Sequence, residues 1–186
     1  HVGDLEVFTA LFHAGRKTDH LPGDQTKALV VTDTSLGLVD LTAATPIPVL
    51  VGVAPDPLDP PEAEEVALSP AGDVALVRQF GAEDIVLVDL DDSVTRVPVG
   101  SNPTDLDITP DGSTAVVVSR GSREIYLFDL ADLTAPPRIL DVPPEIMVGS
   151  VAFSPDGTQA LLYSTSSLQA RYAVWDLATD EIVQRS

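Results

Sequence analysis

One short phrase recurs along this chain and limits what it can fold into. Ser69-Pro70-Ala71-Gly72 returns as Thr109-Pro110-Asp111-Gly112 and again as Ser154-Pro155-Asp156-Gly157, at intervals of 40 and 45 residues. A second phrase, an apolar run closing on Asp-Leu, stands at Asp40-Leu41, Asp89-Leu90, Asp129-Leu130 and Asp176-Leu177. A third, Val-Gly followed three residues later by Pro, stands at Val51-Gly52 with Pro55 and at Val99-Gly100 with Pro103. Markers that recur in the same order at such a period belong to a repeat architecture, in which one supersecondary unit is stacked on its neighbours.

Each unit reads as four short strands. In the third, Asp105 to Thr109 precedes a Pro-Asp-Gly turn, because Pro presets φ and Gly accepts φ > 0. Thr114 to Ser119 is a β-branched run, Arg120-Gly121-Ser122 a polar turn, Ile125 to Leu130 a further strand and Arg138 to Asp141 the last. The same pattern gives strands at Glu65–Ser69, Val74–Arg78, Ile85–Leu90 and Val94–Val99, and at Val151–Ser154, Gln159–Tyr163, Tyr172–Leu177 and Glu181–Gln184. The first unit is less regular, with Lys27–Val31, Leu36–Leu41 and Ile47–Val51, and Leu5 to Phe12 as a candidate opening strand. Second strands such as Val116-Val117-Val118 and Ala160-Leu161-Leu162 are apolar without alternation, which predicts burial on both faces. A two-layer sandwich leaves one face wet; blades arrayed around an axis cover both. The expectation is an all-β propeller of about four four-stranded antiparallel blades, near residues 5–51, 64–99, 104–141 and 148–185 of one domain spanning 1–186.

Composition narrows the function classes. Ten Lys and Arg face 29 Asp and Glu, a formal net charge of −19. Such a surface repels phosphate backbones and anionic membranes, so nucleic acid is not an expected partner. No uninterrupted apolar stretch is long enough for a transmembrane helix. With no Cys there is no disulfide and no thiolate metal site. The chain starts at His1 without a charged-then-apolar leader, which reads as a processed or excised piece of a longer protein.

The phrases "VAFSPDGTQALL" and "AVWDL" resemble WD-repeat blades, while "TDLDITPDGSTAVVV", "IYLFDL" and "VPVGSNP" resemble the YVTN-type repeats of bacterial surface and periplasmic propellers. The likeness covers residues 64–186 well and 21–55 loosely. The Gly-His dipeptide of WD repeats is missing from every unit and only Trp175-Asp176 carries the namesake pair, which favours the YVTN-like class. That resemblance implies a seven-bladed ring of which these units form about half, with a complete four-bladed ring as the alternative. An open array exposes apolar blade faces at both ends, which further blades or self-association with a second copy would cover. The resemblance also implies a secreted, periplasmic or envelope-associated bacterial protein. Fold likeness of this kind does not fix an activity.

No nucleophile elbow, P-loop, dinucleotide-binding glycine pattern or zincin helix is present, and no catalytic residue is assigned. The Asp of each Asp-Leu pair, Asp40, Asp89, Asp129 and Asp176, is expected to accept hydrogen bonds from turn N–H groups. Aligning the repeats puts Val66, Leu106 and Val151, with Leu68, Ile108 and Phe153, on one packed face of the innermost strands. The other face carries Ala67, Asp107 and Ala152, preceded by Glu65, Asp105 and Ser150. Glu65, Asp105, Asp107 and Ser150 are therefore candidate ligand-binding residues at a channel mouth, where oxygen donors suit Ca²⁺; the plain alternative is a hydrated channel that tolerates acids. His13, Asp19 and His20 have no recognised Zn²⁺ spacing and read as an ordinary loop. The Pro-rich stretches 55–61 and 136–144 join successive units, as simple spacers or as a partner-binding rim. The leading expectation is a non-enzymatic binding or scaffold module for a protein or small ligand. The alternative is a lactonase-like or quinoprotein-dehydrogenase-like enzyme using Glu65, Asp105 and Asp107, with Arg120 or Arg123 as anion holders.

Overall fold

The computed structural model describes residues 27–31, 35–40, 42–44, 49–53, 58, 63–69, 73–89, 93–164 and 172–185. These residues form fifteen strands and no helix. The first sheet, in the order β1-β2-β3, consists of β1 (Lys27–Val31), β2 (Ser35–Asp40) and β3 (Val49–Gly52). The second comprises β4 (Ala63–Leu68), β5 (Val74–Gln79), β6 (Asp84–Asp89) and β7 (Val94–Pro98), each strand beside the next. The third is built likewise from β8 (Pro103–Ile108), β9 (Thr114–Ser119), β10 (Glu124–Asp129) and β11 (Arg138–Asp141). The fourth contains β12 (Ser150–Phe153), β13 (Gln159–Tyr163), β14 (Tyr172–Asp176) and β15 (Ile182–Arg185). Three of the repeats are thus four-stranded antiparallel meanders of propeller-blade type, and the first shows three such strands among the described residues. The candidate strand at Leu5 to Phe12 lies outside the described residues.

The strands form where β-branched and aromatic residues run together, and they stop at turn chemistry. Gly112 and Gly157 hold φ of 73° and 68°, the left-handed conformation the Pro-Asp-Gly turns require. The inner strands start and stop earlier than the alternation predicts, so Ser69, Thr109 and Ser154 fall just outside the ladder. Their hydroxyls are needed elsewhere, as described below. Both β4 and β8 carry a register shift against their partners, between Ala63 and Glu65 and between Pro103 and Asp105. A bulge of this kind kinks the strand and re-aims the side chains that follow.

The chain divides into two compact units, His1–Phe80 with Val86–Arg96, and Gly81–Ile85 with Val97–Ser186. In the first, Leu36, Val53, Val66, Leu68, Ala75, Val77, Val86 and Val88 form one buried cluster. In the second, Val116, Val118, Ile125 and Leu127 of one blade pack with Ala160, Leu162, Ala173 and Trp175 of the next. Burying the valine, leucine and isoleucine side chains among them stabilises by about 1.5–3 kcal/mol each. Each strand of β9 and β10 has both faces covered, as the apolar runs predict. The run in β13 behaves differently. Leu161 is 40% exposed and Tyr172, opposite Tyr163 on β14, is 38% exposed. Only one face of that sheet meets another blade within its unit, so the alternation of burial returns although the sequence does not alternate.

Candidate functional site

The second unit brings the repeat's polar residues to the two ends of its blades. At one end stand the Pro-Asp-Gly hairpins, each a closed hydrogen-bond network. Thr109 Oγ1 donates to Asp111 Oδ1 (2.7 Å) and accepts from Thr114 N–H (3.0 Å), and Asp111 Oδ1 also accepts from Ser113 N–H (3.0 Å). Ser154, Asp156 and Thr158 repeat this, with Ser154 Oγ donating to Asp156 Oδ1 (2.6 Å) and accepting from Gln159 N–H (3.0 Å). In the first unit Ala71 occupies the Asp position of the phrase, and Asp73 supplies the carboxylate, accepting from Ser69 Oγ at 2.6 Å. A carboxylate moved two places in sequence thus completes the same hydroxyl–carboxylate pair. The repeated Ser/Thr therefore closes the hairpin, a role the sequence signals only through its constancy at the first position of the phrase.

A cleft of about 640 Å³ lies between these hairpins, lined among others by Asp111, Asp156, Asp176, Arg138 and Trp175. Asp176 Oδ1 accepts from Ala178 N–H (3.1 Å), Thr179 N–H (2.9 Å) and Thr179 Oγ1 (2.9 Å), and Asp129 Oδ1 accepts from Ala131 N–H (2.9 Å). Asp89 exchanges backbone bonds with Ser93 across its turn. The side chain of Asp40 lies outside the described residues. Arg138 pairs with Asp180, which also accepts from Trp175 Nε1 (3.3 Å). Hydroxyl and N–H donors hold four carboxyls, those of Asp111, Asp132, Asp156 and Asp176, below their ordinary value of 3.8. For Asp111 the main cause is the Ser113 N–H, for Asp156 the Ser154 hydroxyl, for Asp176 the Thr179 hydroxyl, and for Asp132 the Thr134 hydroxyl.

Each of the four channel candidates has its own surroundings. Glu65 is buried, only 8% exposed, and its Oε2 accepts from Arg78 Nε at 3.1 Å, while Arg78 also pairs with Glu64. In the second unit Asp105 Oδ2 accepts from Val151 N–H at 2.7 Å, so this acid fastens β8 to β12 of the neighbouring blade. Beside it, Thr104 at the bulge donates to Gly149 O (2.8 Å). Asp107 Oδ1 accepts from the adjacent Ile108 N–H (2.8 Å). Ser150 is half-buried at the start of β12. Among the described residues, no three His, Asp or Glu side chains gather in a way that holds a metal ion. His13, Asp19 and His20 lie outside the described residues.

At the opposite end of the third blade, a smaller cleft of about 220 Å³ opens between the β9–β10 turn and residues 142–148. The turn is fastened to the start of β8 by Arg120 N–H to Asn102 O (3.0 Å) and Gly121 N–H to Ser101 O (3.0 Å). Gly121 is required there, because a Cβ would sit 2.4 Å from Ser101 Oγ and 2.8 Å from Ser101 O. Arg120 and Arg123 line the mouth, with Val118, Val142, Ile146 and Val148 beneath. Glu124 is also in the lining, but its Oε2 accepts from Tyr126 Oη at 2.7 Å. Burial, then the bond to Glu124, push the Tyr126 phenol up to about 12. The sequence marks this cleft only by a Gly flanked by Arg, Ser and Arg.

No family model matches the chain, and no curated protein sequence matches it. Solved structures do. The hydrazine synthase of Kuenenia stuttgartiensis matches with a TM-score of 0.65 at 21% identity, over 94% of this chain and 52% of that one. The β-propeller domain of Cps50 (Swd1) from Myceliophteria thermophila matches with a TM-score of 0.65 at 16% identity, over 89% and 57%. An auxiliary nutrient-binding protein from Bacteroides thetaiotaomicron matches with a TM-score of 0.61 at 12% identity, over 90% and 40%. The chain spans about half the length of these structures. At such identities the likeness establishes the β-propeller fold, and the neighbours include both an enzyme and a binding protein. Among the described residues no helix is long and apolar enough to cross a membrane.

Proposed function

We propose that the chain is a recognition module, binding a small ligand or a protein through the loops at the blade ends, and not a catalyst. One observation carries this reading: five described groups, Asp111, Asp132, Asp156, Asp176 and Tyr126, have their acidity changed in a known direction, and each is moved away from neutrality. Asp111, Asp156 and Asp176 in the large cleft are held as carboxylates and spend an oxygen on their own turns. Tyr126, at about 12, keeps its proton. A general acid or base works best with a pKa near the operating pH, and none of these groups is so placed. The resemblance of "IYLFDL" and "VPVGSNP" to YVTN-type repeats supports a place outside the cytoplasm or on the envelope. The likeness to a nutrient-binding protein supports a small ligand among the partners.

The test pairs ligand-observed NMR of residues 1–186 against a small-molecule library with lactone-hydrolysis and dye-linked dehydrogenase assays, with and without Ca²⁺. Binding without turnover is expected. Turnover abolished by Asp107→Ala would overturn the recognition reading and establish the enzyme in its place.

A further inference from the structure

The small cleft differs from the rest of the molecule in its charge. Ten basic residues stand among 29 acids; of the other described arginines three are engaged, and Arg185, at the end of β15, lines neither cleft. Arg78 pairs with Glu64 and Glu65, Arg138 pairs with Asp180, and Arg96 bonds Val53 O and Gln79. Arg120 and Arg123 line one cleft, and among the described residues neither guanidinium has a hydrogen-bond or ion-pair partner. The nearest acid in the lining, Glu124, is occupied by Tyr126.

The backbone beneath these arginines is fixed in advance. Asn102 and Arg123 hold φ of 53° and 61°, the left-handed region, which Asn adopts readily and Arg only where its surroundings hold it there. Val142 N–H to Arg123 O (2.9 Å) and Arg120 N–H to Asn102 O (3.0 Å) hold both ends of the turn. The main chain that carries the two arginines is thus fixed before binding, so only their side chains remain to be ordered when a ligand arrives. Below them the floor is apolar and buried: Val118, Val142, Ile146 and Val148.

Building on the recognition reading, we infer that this cleft binds a small monocarboxylate with a short branched apolar tail, its carboxylate between Arg120 and Arg123 and its tail on the valine–isoleucine floor. The planar guanidinium fork matches a carboxylate. A volume of about 220 Å³ is below the roughly 300–1,000 Å³ of pockets that hold drug-sized ligands, so the ligand is small. The apolar floor offers no donor to the further oxygens of a phosphate, whose desolvation would go uncompensated, and this favours a carboxylate with an apolar tail.

Isovalerate is the probe, titrated into ¹⁵N-labelled residues 1–186, with acetate, isovaleramide and inorganic phosphate as comparisons. Isovalerate is expected to shift the amides of residues 119–124 and 142–148. Isovaleramide, with the same tail and no charge, and acetate, with the charge and no tail, are each expected to bind about tenfold or more weakly, a difference of about 1.4 kcal/mol. R120Q and R123Q are each expected to weaken isovalerate about tenfold or more, with Trp175 fluorescence unchanged. The inference fails if isovalerate moves none of those amides at roughly 50 mM, well above a ~millimolar Kd. It fails equally if isovaleramide or phosphate binds as tightly, or if the folded variants bind unchanged. Its failure is read from this titration, and failure of the recognition reading from the turnover assays, so the two are separable.

Discussion

Replacing Asp105 by Ala tests whether this acid joins two blades or serves a ligand. Its Oδ2 accepts the Val151 N–H at 2.7 Å, and Val151 is buried. Removing the carboxylate leaves that N–H without its acceptor, a penalty of about 1–3 kcal/mol. In a domain of this size each kcal/mol moves Tm by about 2–4 °C, so Asp105→Ala is expected to lower Tm by roughly 2–12 °C. Asp105→Asn keeps an acceptor oxygen but loses the charge, and about half of the effect should return, because charge-assisted bonds are about twice as strong as neutral ones. Trp175 is the only tryptophan in the chain and lies buried in the cluster joining these two blades. Urea unfolding followed by its fluorescence therefore reports the unit concerned, and amide exchange at Val151 reports the bond itself. If Asp105→Ala leaves both the urea midpoint and the Val151 exchange rate at wild-type values, the blade-joining role is wrong.

Gly121→Ala, whose Cβ would press on the Ser101 carbonyl, is expected to cost about 1–3 kcal/mol by overpacking; Gly52→Ala, with nothing within 4 Å, should fall within about 0.5 kcal/mol of wild type in the same thermal melts. The depressed carboxyls of Asp111, Asp156 and Asp176 contribute stability that is present above their unfolded value of 3.8 and is lost as pH falls through the lower folded values. Acid melts of Asp156→Ala should accordingly show a shallower loss of stability below pH 4 than wild type, and an identical slope would refute the assignment. Tyr126 runs the other way: its folded pKa is raised from 10.0 to about 12, so its contribution is present below pH 10 and is lost as pH rises through about 12. Alkaline melts of Tyr126→Phe should lack that part of the decline, and ultraviolet titration of the wild type should show one phenol ionising late.

The repeat alone announced the blades, because period, turn chemistry and β-branched runs are local properties. Val74, Val116 and Ile125 lie in strands where the apolar runs place them, and Pro-Asp-Gly turns wherever its φ values are required. Where a strand stops is also local in origin, yet it was not legible: Ser69, Thr109 and Ser154 leave the ladder because their hydroxyls close the hairpins, and a hydroxyl reads equally well as strand or cap. Three-dimensional proximity decided the rest. Whether Leu161 is covered depends on what stands on its side of the sheet, which no run of apolar letters records. Asp105 aligns with Ser150 by position, but only the juxtaposition of β8 and β12 gives its carboxylate the Val151 N–H. Arg120 and Arg123 look like any polar turn until the segment 142–148 folds over to supply an apolar floor. Sequence specifies the conformations each residue prefers and closes its own hairpins locally; for Asp105, Arg120 and Arg123 the surroundings come from residues some 20 to 46 places away.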